Sequence, residues 1–315
     1  MDLDLAQADR AAGALVGTAT GDALGAGYEF GHPGPDAVID MIGGGPFNFA
    51  PGEWTDDTSM TVAVAMVTAA GIDLRTTEGL DAVAAGFLAW FNAGPKDVGS
   101  QTRLVLGTRD RTSAGMTATA RSIPGRTAGN GSLMRTAPVG LAYLDDPQAC
   151  LDAAQKVSDL THADVRAAQA CQLWSFAIRH AVVHGSFDGV RGYLDVAAPE
   201  PAEFWGARLD EAQAQAATPE QFSNNGWVVH ALQTAWWAIT HAENGQPSHL
   251  EQALDLAVRA GNDTDTTAAI AGSLLGARWG RSAIPERWQS VLHGWPGLRA
   301  ADLVVLAERT VGKRP

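Results

Sequence analysis

An all-α fold follows from three features of this 315-residue sequence: apolar residues recur at helical spacing, alternating strand patterns are scarce, and Ala-, Leu- and Gln-rich stretches are separated by loops such as GHPGP, GGGPF and SNNG. In chain order, Gly13, Gly17, Gly21 and Gly25 recur every four residues and lay a smooth stripe along the first helix. Glycine lowers helix stability by roughly 1 kcal/mol relative to alanine, so the stripe predicts close backbone packing as compensation. Met60, Ala63, Val64 and Val67 mark one buried face of the next helical run, and the stretches 79–92, 149–158, 163–184, 227–243 and 249–260 read the same way. Thr267, Ile270, Ala271 and Leu274 mark a last long helix, where Gly272 and Gly276 repeat the small-residue stripe. The two striped helices are expected to be near neighbours. No break in composition marks a linker, so residues 1–315 are expected to form one domain, although the length also allows two of roughly 150 residues.

Hydrophobic residues make up 46% of the chain against 18% charged, which excludes a disordered protein, and no apolar stretch approaches the roughly 20 residues of a membrane span. The beginning, MDLDLAQADR, has Asp2, Asp4 and Asp9 and no basic apolar leader, which predicts a cytoplasmic protein. The net charge of −13 argues against non-specific nucleic-acid binding. It leaves room for a compact anion, since glycine-rich backbone or a metal ion reverses the potential within one cleft. Cys150 and Cys171 lie in no CxxC pattern and read as reduced core thiols.

Two clusters carry the chemistry. Glu53-Trp54-Thr55-Asp56-Asp57-Thr58 stands directly before the run that begins near Met60, and Asn262-Asp263-Thr264-Asp265-Thr266 stands before the last long helix. Either alone reads as helix capping, because acidic and hydroxyl side chains near a helix N-terminus gain roughly 0.3–1 kcal/mol from the dipole. Together, Asp56, Asp57, Asp263 and Asp265 with Thr55 and Thr266 form an all-oxygen set suited to hard cations, Mg²⁺ or Mn²⁺. Four carboxylates that met in space would repel one another strongly, and would suit two divalent ions. A third feature, Gly129-Asn130-Gly131-Ser132-Leu133-Met134-Arg135, is a small-residue loop of the kind that lets backbone approach phosphate, or that merely turns.

These elements resemble the ADP-ribosylglycohydrolase family, in particular the branch that reactivates dinitrogenase reductase or hydrolyses ADP-ribosyl-arginine. The resemblance rests on GTATGDALGAGYEF at 17–30, WTDDTSM at 54–60, GNGSLMR at 129–135, the His162 segment and GNDTDTTAAIAGSLLGA at 261–277, and spans nearly the whole chain. It implies a compact orthogonal bundle of helices with a dinuclear metal cleft that removes ADP-ribose from a modified side chain. By motif match it implies Thr55, Asp56, Asp57, Asp263, Asp265 and Thr266 as metal ligands and Glu29 beside substrate and metal. It further implies Asn130, Gly131 and Ser132 on the diphosphate and ribose, and His162 beside the phosphates.

Two matches are shorter. Lys96-Asp97-Val98-Gly99 resembles a segment whose aspartate lies near the scissile bond in arginine-specific enzymes, which makes Asp97 and Gly99 binding candidates and Asp97 a proton carrier beside Glu29. Trp227 falls where similar enzymes place an aromatic residue against adenine, or else is a core aromatic. The chemistry agrees: breaking an N-glycosidic bond builds oxocarbenium character at the ribose, which calls for held hydroxyls, an activated water and leaving-group assistance. No nucleophile elbow is present.

The expected partners are ADP-ribose and an ADP-ribosylated protein, met by a cytoplasmic monomer. Other linkages, to serine, a nucleobase or a free ADP-ribose derivative, remain open, as do a non-catalytic ADP-ribose binder and a phosphohydrolase. His180 and His184 have i, i+4 spacing, but the AVV between them lacks the glutamate of HExxH. Trp236-Trp237 reads as core, and the acid-rich stretch 195–211 as a solvated loop or helix surface.

Overall fold

The computed structural model describes residues 3–243 and 248–312, and the chain is helical throughout as the periodicity predicts. The helices are α1 (Leu5–Gly25), α2 (Asp56–Ala69), α3 (Thr77–Asn92), α4 (Ser100–Gly107), α5 (Ser113–Ser122), α6 (Ala137–Ala142), α7 (Pro147–Asp159) and α8 (Val165–His184). They continue with α9 (Gly189–Val196), α10 (Pro199–Gln213), α11 (Val228–His241), α12 (Ser248–Arg259), α13 (Thr264–Trp279), α14 (Glu286–Gln289) and α15 (Ala300–Gly312). A 3₁₀ turn spans Asn130–Arg135. The one strand ladder among the described residues pairs His293–Gly294 with Leu298–Arg299.

Local signals account for the helix ends. Asp4 and Gln7 form a reciprocal capping box at the start of α1, Thr55 accepts from the Asp57 N–H at the start of α2, and α8 stops at Gly185 in the left-handed region with φ 63°. The helices α1, α2 and α13 are buried on nearly every side, so they form the centre of the bundle rather than its surface.

The glycine stripe has the predicted use. A Cβ placed on Gly13 would lie 2.2 Å from the Gly276 carbonyl oxygen, one on Gly17 2.2 Å from that of Gly272, and one on Gly21 1.9 Å from that of Ala268. The backbones of α1 and α13 therefore touch at successive turns from Gly13 to Gly21.

Trp236 and Trp237 are buried, and Cys150 and Cys171 are buried free thiols. The helix α10 takes up most of the acid-rich stretch, with Trp205 and Leu209 inward and Glu200, Glu203, Asp210 and Glu211 exposed. No helix among the described residues is long and apolar enough to cross a membrane.

Substitution tests the seam directly. Gly21→Ala should lower unfolding stability by about 1–3 kcal/mol or more through forced separation of α1 and α13. Gly107→Ala, in a helix with nothing near its Cβ position, should raise stability by up to about 1 kcal/mol in the same urea titration.

Candidate active site

The seam ends in a pit of carboxylates. Asp22 projects from the last turns of α1, fully buried, and accepts hydrogen bonds from the Thr55 N–H (2.9 Å), the Thr58 N–H (2.9 Å) and the Thr58 hydroxyl (2.6 Å). It thereby fastens the N-terminus of α2 to α1. Asp57 points into the same space, with its Oδ2 accepting from Thr55 Oγ1 (3.0 Å) and Thr266 Oγ1 (3.4 Å). Asp265 arrives from the first turn of α13.

Oxygens of Asp22, Asp57 and Asp265 lie within 4.8 Å of one another, and so do those of Glu29, Asp263 and Asp265. Asp265 is common to both trios. Asp56 stands outside them, buried beside the pit and accepting from the Gly99 N–H.

Loop pairing sets the remaining members. The segment after α1 pairs with the segment before α13 through Gly31 and Asn262: the Phe30 N–H donates to the Asn262 carbonyl (2.6 Å) and the Asn262 N–H to the Gly31 carbonyl (3.1 Å). Glu29 is thus held beside Asp263. A Cβ on Gly261, whose φ is 77°, would strike the His32 ring at 2.3 Å, so this approach requires glycine. Asn225 donates to the Gly261 carbonyl (2.9 Å) and accepts from the Asp263 N–H (3.2 Å), and Asn130 Nδ2 donates to Asp263 Oδ2 (2.7 Å).

Burial and mutual repulsion dominate the electrostatics. Burial, then the charges of Asp263, Asp97, Asp56 and Asp22, push Glu29 up to about 9. Asp56, Asp57 and Asp265 rise well above the carboxylate range for the same reasons, and burial lifts Asp97. Asp22 rises only to about 6, because its hydrogen bonds from Thr58 and Thr55 offset part of the burial.

Asp57 Oδ1 and Glu29 Oε2 are buried with no hydrogen-bond partner. Buried carboxyl oxygens left without a hydrogen bond among a set of hard oxygen donors are what a divalent cation satisfies, so the residues fit the predicted metal chemistry.

Two cavities lie on the segments that hold the pit. The larger, about 700 Å³, runs along Thr127, Gly129, Asp164, Asn224, Trp227 and His230. Trp227 is half-buried, one side on the core and one on this cavity, and its segment pairs with the 129 loop: the Asn130 N–H donates to the Gly226 carbonyl and the Val228 N–H to the Ala128 carbonyl. The smaller, about 210 Å³, contains Thr55, Asp56 and Asp97 within aromatic walls of Phe49, Trp90 and Trp295. Lys96 crosses its edge, paired with Glu53 at 2.6 Å and 5.1 Å above the Phe49 ring.

The Asn130–Arg135 turn is held from behind. Ser132 Oγ accepts from Ser158 (2.9 Å) and from Cys171 Sγ (3.4 Å), so its hydroxyl serves the core. His162 is buried under the turn, its Nδ1 2.8 Å from Thr161 Oγ1, and a Cβ on Gly131 would come within 3.0 Å of its ring. Burial, then the nearby Arg135, drives the imidazole down to about 3. It is neutral at physiological pH. His180 and His184 lie with tilted rings 4.4 Å apart and join no metal-competent group among the described residues.

Known proteins share this architecture. The ADP-ribosylglycohydrolase family model matches residues 3–315. The chain belongs to the ADP-ribosylglycohydrolase family. ADP-ribosylarginine hydrolase Tri1 of Pseudomonas putida (strain GB-1) is 32% identical over 289 residues, 89% of this chain and 73% of the relative. ADP-ribosyl-[dinitrogen reductase] glycohydrolase of Rhodospirillum rubrum is 30% identical over 291 residues, 90% of each chain. A solved ADP-ribosylglycohydrolase-related protein complex superposes with a TM-score of 0.74 at 29% identity, over 98% of this chain and 99% of that one. This chain is an enzyme of that glycohydrolase family.

Three residues in and around this glycohydrolase site escaped the sequence reading. Asp22 lay inside the quoted GDALGA segment, and its signal was an ionisable side chain in a run of small and apolar residues. Asn225, in the SNNG loop, looked like turn chemistry. Arg135 closed the GNGSLMR motif without an assigned part.

The neutral histidine gives a pH prediction. The unfolded chain takes up a proton as pH falls below 6.5 and the folded chain does not until about 3, so folding stability drops across that window. In urea titrations, His162→Gln should remove about 2 kcal/mol of the stability lost between about pH 7.5 and about pH 5.

Proposed function

We propose that this protein is a metal-dependent hydrolase that cleaves the N-glycosidic bond between ADP-ribose and a modified protein side chain, arginine, releasing ADP-ribose. The observation that supports this reading most directly is that cavities of unequal size lie on two sets of residues that hold the carboxylate pit, one lined by Gly129 and Asn224, the chain neighbours of the Asn130 and Asn225 that bond Asp263, and one by Thr55 and Asp56. A glycosidic bond has two sides, and both must be held while the bond breaks. The 700 Å³ cavity is within the roughly 300–1,000 Å³ of ligand pockets and receives the ADP-ribose side; the 210 Å³ cavity receives the acceptor. The named relatives are consistent with both halves.

Asp22, Asp57 and Asp265 on one side and Glu29, Asp263 and Asp265 on the other would hold two divalent cations, Mg²⁺ or Mn²⁺, with Asp56 and the Thr55 and Thr266 hydroxyls as further oxygen donors. When bound, the cations supply Lewis acidity and a template for ribose hydroxyls. The chain's own residues supply the rest. Trp227 offers its face to adenine, while Asn130 and Gly131 present the turn to the diphosphate. Gly99 fixes Asp56 through its N–H.

Glu29, at the edge of the pit, moves the proton of the attacking water, and Asp97 faces the leaving guanidine. The aromatic walls of the smaller cavity and its carboxylates Asp56 and Asp97 favour a planar cation over a hydroxyl, and Lys96 on Phe49 shows a cation already resting on that wall. The working form is taken as a cytoplasmic monomer with all these groups in one domain, residues 1–315.

The test is a substrate panel. An ADP-ribosyl-arginine peptide should release ADP-ribose with Mg²⁺ or Mn²⁺, lose release on chelation, and lose about 10²-fold or more in Asp265→Asn. Release from an ADP-ribosyl-serine peptide instead would replace the acceptor assignment, and binding of ADP-ribose without release from any linkage would sink the hydrolase reading. Trp295→Ala should raise KM for the arginine substrate about fivefold to tenfold, leaving inhibition by free ADP-ribose unchanged.

A further inference from the structure

Arg135 is the one fully buried guanidinium among the described residues. Its hydrogen bonds all end on neutral acceptors: Nη1 on the Gly131 carbonyl (3.0 Å) and the Met60 sulfur (3.7 Å), Nη2 on the Val157 carbonyl (3.1 Å) and the Thr161 hydroxyl (2.8 Å). The Nε–H has no partner, and the group lies 4.6 Å from the centre of the Phe87 ring. Burial lowers its pKa only to about 10, so it is charged at neutral pH.

A buried cation with no anion in hydrogen-bond contact, and only the charge of Asp56 at longer range, is expensive, and replacement by an apolar side chain of similar volume is often neutral or stabilising. The charge therefore calls for a use that the folded chain alone does not explain.

Its neighbours point to that use. Arg135 grips the Gly131 carbonyl directly, and through Thr161 it reaches the other side of the same turn. Thr161 Oγ1 accepts from Arg135, so its own proton is free to donate to His162 Nδ1. That arrangement pairs the Thr161 hydroxyl with both neighbours and leaves the proton of the neutral imidazole on Nε2, which faces Gly129 and Gly131. One buried charge thus backs the turn from two directions.

We propose that Arg135 is a positioning residue for the substrate diphosphate: it fixes the Gly129–Ser132 turn through Gly131 and the Thr161–His162 pair, and its charge is the buried counter-charge of the two phosphates. The proposal rests on the reading that this turn holds the diphosphate. In a protein of net charge −13, a positive charge screened from the solvent and set behind the turn lets a dianion enter.

Competitive inhibition by ADP-ribose and by adenosine, measured on the metal-loaded enzyme, separates charge from scaffold. In Arg135→Met the preference for ADP-ribose over adenosine should fall at least about tenfold, with adenosine inhibition within about twofold of wild type and KM rising more than kcat falls. Arg135→Lys should keep the preference within about threefold. A preference that survives in Arg135→Met, or equal weakening of both inhibitors, overturns the proposal and leaves Arg135 a structural residue.

Wild type supplies a second readout should the methionine variant fail to fold. Raising salt from about 50 to about 500 mM should leave the preference within about twofold, because a buried charge is not screened. A tenfold collapse places the counter-charge on exposed side chains and overturns the proposal. A wild type that inhibits no better with ADP-ribose than with adenosine refutes the diphosphate reading itself and this inference with it, a result distinct from a preference that merely ignores Arg135.

Discussion

The contact between the backbones of α1 and α13 is the constraint on which the site depends. With Gly17 against Gly272 and Gly21 against Ala268, the two helices are locked in register as well as in distance. At the end of the seam, a Cβ on Gly25 would fall 2.4 Å from the Asp265 Cα. That contact brings the end of α1 against the first turn of α13. A helix pair separated by ordinary side chains would lie 8–10 Å apart, and Asp22 would not share a cation-sized space with Asp265.

Such a pit is costly to build, and the fold offsets the cost with helix ends. The N-termini of α2 and α13 both deliver their first-turn carboxylates into it, so the positive ends of two dipoles face the cluster. Asp22, which comes from near the C-terminal end of its helix, has no such help. It is instead the acceptor for the Thr55 and Thr58 N–H groups and the Thr58 hydroxyl. The most adversely placed aspartate is the best hydrogen-bonded one, and its pKa rises less far than that of Glu29. Asp57 Oδ1 and Glu29 Oε2 receive no such bonds, which marks the points that a bound cation would satisfy.

What the sequence disclosed and what it hid divide along physical lines. Helices and the acidic clusters at their starts were legible because both are local: periodicity decides the first, and adjacency on the chain displays the second. The glycine stripe was legible as a packing device, and that reading concealed Asp22, which sits in the same run and looks like an interruption of it. The isolated bridges Gly31–Asn262 and Gly129–Trp227 have no pattern to read, since one or two hydrogen bonds between distant loops leave no periodic trace. The fate of Ser132 could not be foreseen for a similar reason. A serine in a glycine-rich turn suggests a hydroxyl for a ligand, and only the packing of α7 and α8 turns it toward Ser158 and Cys171.

The paired loops also make the two sides of the site one mechanical unit. Asn130 belongs to the turn beside the larger cavity, yet its amide donates to Asp263 in the pit and to the Asn225 carbonyl, while Asn225 accepts from the Asp263 N–H. The turn cannot shift without moving an acidic member of the pit, and Asp263 cannot be drawn toward a cation without pulling on the turn. Positioning and charge are then set by the same few hydrogen bonds. A reaction whose transition state places positive charge on the ribose between a nucleotide and its acceptor gains most from a scaffold of this kind, because donors and carboxylates fixed before the reaction need no reorganisation during it. The rigidity begins in the glycine seam, where each Cβ is missing, and reaches the turn through two asparagines that look, on the chain, like ordinary loop residues.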